Sequence, residues 1–74
     1  MTRLILTFET VFKVLSADKL LRSRLACRPT PTPPGLTSSI CGIALEITNH
    51  EEKDRALRLL EEAGNRPLGV HEVG

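Results

Sequence analysis

The sequence predicts an α+β sandwich, a four-stranded antiparallel sheet with two helices on one of its faces. Three observations predict it. Apolar residues recur three and four apart in two windows, one around Val14 and Leu21 and one around Ala56 and Leu60, the spacing of helices with one buried side. Short Leu/Ile-rich or alternating runs flank each window, so the elements alternate as strand, helix, strand, strand, helix, strand. Of the extended runs, only the second and fourth contain proline, and a sheet tolerates proline at its edges.

Arg3 to Phe8 is a β-prone run rich in Leu and Ile. Thr10 is placed to cap the helix that follows, whose apolar stripe reads Val11, Val14, Leu15, Leu21 and Leu25. Cys27 to Thr32 contains Pro29 and Pro31 and fits only an edge strand. Pro33-Pro34-Gly35 makes a stiff turn, and Leu36 to Ile40 is a hydroxyl-rich loop. Gly42 to Thr48 alternates, with Ile43, Leu45 and Ile47 on one face and Ala44, Glu46 and Thr48 on the other. Asn49 with Glu52 three residues on makes a capping box for the second helix. That helix buries Ala56, Leu59, Leu60 and Ala63 and ends at Gly64. The last strand runs from Arg66 or Pro67 to Val73.

This order is that of the ferredoxin-like βαββαβ fold. The apolar first and third strands belong at the centre, which gives the spatial order 4-1-3-2. The expected core is Leu4, Leu6, Phe8, Ile43, Leu45, Ile47, Leu68 and Val70 with the helix stripes. The opposite face (Ile5, Thr7, Ala44, Glu46, His71, Val73) is mixed and is expected to meet solvent or a second copy. With 74 residues, the chain is expected to form one domain, 1–74. A domain of this size buries only about 60% of its unfolded surface.

Composition excludes several function classes. Phe8 and Phe12 are the only aromatic residues, too few for base stacking on single-stranded nucleic acid. The net charge of +1 gives no general attraction to a polyanion. No apolar run approaches bilayer length, and the first residues lack the pattern of a signal peptide. The expectation is a cytoplasmic protein that binds neither nucleic acid nor membrane. Charge is unevenly spread: six basic residues against two acids give +4 through Ile40, and four against seven give −3 from Cys41 onward. Such asymmetry can orient a protein partner.

The predicted topology puts Cys41 at the end of the sheet where the first helix begins and Cys27 at the other end, roughly 15–20 Å away. A disulfide needs Cα atoms less than about 7 Å apart, so none is expected. Two cysteines with His50 and His71 do not make a zinc site in this fold, and no metal or cofactor is expected. Cys41 has the chemistry of a reactive thiol around it. Gly42 leaves its backbone uncrowded, the hydroxyls of Ser38 and Ser39 are donors, and the helix N-terminus at the same end favours a thiolate. Arg3 and Lys13 are expected near that end as cations. Cys27 reads as packing at the helix–strand junction.

The string Pro31-Thr32-Pro33, then Leu36, then Ser38-Ser39-Ile40-Cys41-Gly42-Ile43-Ala44-Leu45 resembles the selenium/sulfur carrier-like family of small bacterial domains, with their Pro-Thr-Pro segment and Ser-Ser-x-Cys-Gly signature. Ala17-Asp18-Lys19-Leu20-Leu21 and Leu60-Glu61-Glu62-Ala63-Gly64 resemble that family's two helices. Glu9-Thr10-Val11-Phe12 departs from its Ser-Thr-His type of helix opening. The resemblance implies a stoichiometric carrier rather than a turnover enzyme. Cys41 would hold sulfur or selenium as a persulfide or selenopersulfide, with Ser38, Ser39 and the Gly42 amide around the chalcogen and donor and acceptor proteins as partners. The other class open to this fold is a non-catalytic, dimeric binding or regulatory module, which would tolerate loss of Cys41. A copper-type metallochaperone is disfavoured because the loop after the first strand lacks Cys-x-x-Cys.

Overall fold

The computed structural model describes residues 3–32 and 42–73, the His50 side chain excepted; Ser38, Ser39 and Cys41 lie outside these segments. The elements are β1 (Arg3–Thr7), α1 (Val11–Arg22), β2 (Cys27–Pro31), β3 (Ile43–Ile47), a 3₁₀ turn (His50–Glu52), α2 (Lys53–Glu62) and β4 (Gly69–Val73). The four strands form one antiparallel sheet in the order β2-β3-β1-β4. That is the predicted order, and with the two helices it makes an α+β fold consistent with the ferredoxin-like class.

Local chemistry explains the element ends. The Thr10 hydroxyl accepts from the Lys13 amide at 3.2 Å, capping α1. Helix α2 closes in a Schellman arrangement. Gly64 has φ +72°, its amide donates to Glu61, and the Asn65 amide donates to Leu60 at 2.9 Å. Asn49 caps the 3₁₀ turn rather than α2, its Oδ1 accepting from the Glu51 amide at 3.1 Å. Glu52 becomes the N-cap position of α2 with no side-chain capping bond.

Strand β2 is an edge, as its prolines require. Thr32 N–H donates to the Gly42 carbonyl, and Thr48 N–H donates to the Ala26 carbonyl. That phase turns the nitrogens of Cys27, Pro29 and Pro31 away from β3. The prolines therefore cost the ladder nothing and remove donors from the free edge, which blunts it against further strand pairing.

The core lies between sheet and helices: Leu4, Leu6, Phe8, Leu45 and Ile47 meet Val14, Ala17 and Leu21 of α1 and Ala56 and Leu60 of α2. Leu4 pairs with Ile47 and Leu6 with Leu45, so these side chains share one face and both helices cover it. Several expectations are corrected. Leu68 and Val70 are exposed, not core, because Leu68 precedes β4 and β4 has a neighbour on one side only. Val11 and Leu15 are exposed as well. The inward side of α1 is Val14, Ala17, Asp18 and Leu21, turned so that Asp18 faces β2. Ala63 is the exposed C-cap of α2, and Leu59 is only partly buried. The last strand starts at Gly69, after the Pro67-Leu68 entry.

The second sheet face differs most from expectation. Ile5, Thr7 and Ala44 on it are fully buried and Glu46 nearly so, so its central residues are not open to solvent or to a second copy. Glu46 is the charged residue at its middle. Arg3 reaches it at 2.8 Å and Arg28 at 3.6 Å. Two guanidiniums offset the cost of burying one carboxylate.

Candidate functional site

The site is assembled by the antiparallel pairing of β1 and β3. Thr7 opposes Ala44, so the end of β1, the start of α1 and the start of β3 lie together. Gly42 is the described residue of the predicted site, and it lies at this end. It is exposed, takes φ +78°, and among the described residues beyond its chain neighbours no atom lies within 4 Å of the position a Cβ would occupy. The left-handed backbone, rather than crowding, is what requires glycine there. Its carbonyl accepts from Thr32 at 3.0 Å, which ties the chain entering β3 to the chain leaving β2. Beside it, Pro29, Thr30, Pro31 and Ile43 line a shallow hollow of about 140 Å³.

Cys27 sits at the opposite end, paired with Ile47. Gly42, the chain neighbour of Cys41, is five positions up β3 from that pair, about 17 Å along the strand. The Cys27 thiol is free. It is half-buried against the core and donates to Asp18, with Sγ 3.5 Å from Oδ1. Burial and then the Asp18 carboxylate push it up to about 11. A thiol so held is protonated at neutral pH and is a poor nucleophile. Asp18 is buried and also receives Arg22 one turn on. Sequence periodicity does not reveal this Asp18–Cys27–Arg22 cluster, because an acid inside an apolar stripe reads as a solvent-facing break.

The two expected cations separate. Arg3 opens β1 at the Cys27 end and is engaged by Glu46, so it is not near Gly42. Lys13 is in the first turn of α1, at the Gly42 end, and pairs with Glu9 at 3.0 Å. Among the described residues no group of three His, Cys, Asp or Glu side chains is placed to hold a metal, and no helix is long and apolar enough to cross a membrane.

No curated protein and no solved structure matches the chain. A family model does, over residues 3–72, and its description is "Putative Se/S carrier protein-like". That match spans both helices, β1 to β3 and all but the last residue of β4, and the chain belongs to this family.

Proposed function

We propose that this protein carries sulfur or selenium on Cys41 as a persulfide or selenopersulfide and hands it from a donor protein to an acceptor. The observation that carries the reading is the state of the other cysteine. The chain has two, and Cys27 is packed, hydrogen-bonded to Asp18 and pushed up to about 11. Covalent carriage in this chain therefore falls to Cys41. Membership of the carrier-like family and an exposed, left-handed Gly42 next in the chain support it.

The chemistry balances without an added oxidant. The Cys41 thiolate attacks the outer sulfur of a donor persulfide. A new S–S bond forms to Cys41, the donor's own S–S bond breaks, and the donor cysteine leaves as a thiolate. Delivery repeats the exchange with an acceptor thiolate. Ser38, Ser39 and the Gly42 amide serve as hydrogen-bond donors to the terminal chalcogen. The carrier is used stoichiometrically, and the cytoplasm, which keeps thiols reduced, suits it.

Intact mass spectrometry after incubation with a cysteine desulfurase and cysteine, or with a selenium donor, tests this. The protein gains the mass of one sulfur or selenium, Cys41→Ser abolishes the gain, and Cys27→Ser leaves it. A gain that survives Cys41→Ser contradicts the assignment. No gain, with function intact in Cys41→Ser, favours the binding module.

A further inference from the structure

Helix α1 carries a solvent stripe that the fold does not use. Val11, Phe12, Leu15 and Lys19 fall within about 100° of arc at 100° per residue, with Arg22, which is paired to Asp18, at their C-terminal border. The core-facing residues Val14, Ala17, Asp18 and Leu21 occupy a separate arc. Phe12 is 81% exposed, Leu15 53% and Val11 38%. The three apolar residues occupy the first half of the helix, at the Gly42 end. The cations occupy the second half. The stripe holds no acid, since the only acidic residue of α1 is the buried Asp18.

We infer that this stripe is the docking surface for the protein that loads the carrier, a partner presenting an apolar patch bordered by carboxylates. The inference rests on the carrier reading. Three features favour that occupant. A large exposed aromatic beside aliphatics is the usual anchor of a protein interface. Lys19 is offset to one side, so it fixes the orientation of an acidic partner rather than surrounding the apolar part, while Arg22 beside it is held by Asp18. The apolar end lies at the Gly42 end, where a donor must bring its persulfide.

A second copy of the chain fits less well. The exposed residues of α2 mix signs (Asp54, Arg55, Arg58, Glu61, Glu62) and offer no acidic border. A lipid surface also fits less well, because interfacial helices carry cations alongside a longer apolar face.

The test measures sulfur loading by two routes. One is a cysteine desulfurase of the same cell with cysteine, at varied carrier concentration. The other is glutathione persulfide, which needs no docking. Phe12→Ser and Leu15→Ser each raise the half-saturating carrier concentration for the desulfurase at least tenfold and leave loading by glutathione persulfide unchanged. Lys19→Glu weakens desulfurase loading in the same way, and added salt weakens the wild type. Unchanged desulfurase loading in all three variants overturns the proposal. So does a wild type that loads from the small persulfide but not from the desulfurase, and in that case the carrier reading stands. Flotation with phosphatidylglycerol vesicles that Phe12→Ser abolishes, with desulfurase loading unaffected, assigns the stripe to lipid instead. Uptake by neither route removes the carrier reading, and this surface with it.

Discussion

The proton on Cys27 is held by the folded state. Burial and the Asp18 carboxylate raise the thiol from 9.0 to about 11, so an unfolded chain releases that proton two units sooner. Between those values the native state binds more protons, and its stability falls as pH rises through the window. Denaturation midpoints measured from pH 8 to 11 check this: the wild type loses stability that Cys27→Ser keeps. Glu46 runs the other way. Its hydrogen bond and charge pairing with Arg3, helped by Arg28, hold the carboxyl below its ordinary 4.5 despite burial. The stability it contributes is present above that value and is lost as pH falls through the folded pKa. Acid titration of Glu46→Gln shows a flatter stability loss below about 4.5 than the wild type, at the cost of a lower plateau at pH 7; an identical acid limb contradicts the assignment.

Among the elements, the caps of α1 and of the α2 C-terminus and the edge placement of β2 were the most legible in the sequence, whereas the Asn49–Glu52 capping box was not formed and the Pro33-Pro34-Gly35 turn lies outside the described residues. Thr10, Gly64 and the β2 prolines each do one local job that residue type alone announces. Gly64→Ala forces a side chain into φ +72°, where no described residue beyond its chain neighbours lies within 4 Å, so the cost is that of backbone strain, about 1–2 kcal/mol. A thermal melt should show it as a drop of roughly 4–8 °C per kcal/mol; an unchanged Tm contradicts the Schellman role. Burial was less legible. Val11 and Leu15 sit at the same helical spacing as Val14 and Leu21, and hydropathy cannot tell which of two apolar arcs meets the sheet. The deciding residue is Asp18, whose partners Cys27 and Arg22 come from another element and another turn. Leu68 and Val70 alternate like core residues, but they lie at an edge where no second neighbour covers them.

At the scale of the whole molecule, the strand order was readable because the apolar runs and the prolines sort centre from edge. The function was not readable from the fold, which hosts many activities. The proposed carrier role rests on one short string around Cys41, three of whose site residues lie outside the described segments. The architecture puts Cys27 locked at one pole of the sheet and Gly42 exposed at the other. Trypsin leaves both cysteines on one peptide, residues 25–53, because Arg28 precedes proline. Fragmentation of that peptide after loading with a desulfurase and alkylation therefore reports both sites at once. The extra chalcogen is expected on Cys41, with an unmodified sulfur count at Cys27. The chalcogen on Cys27, or shared equally between the two, contradicts that expectation.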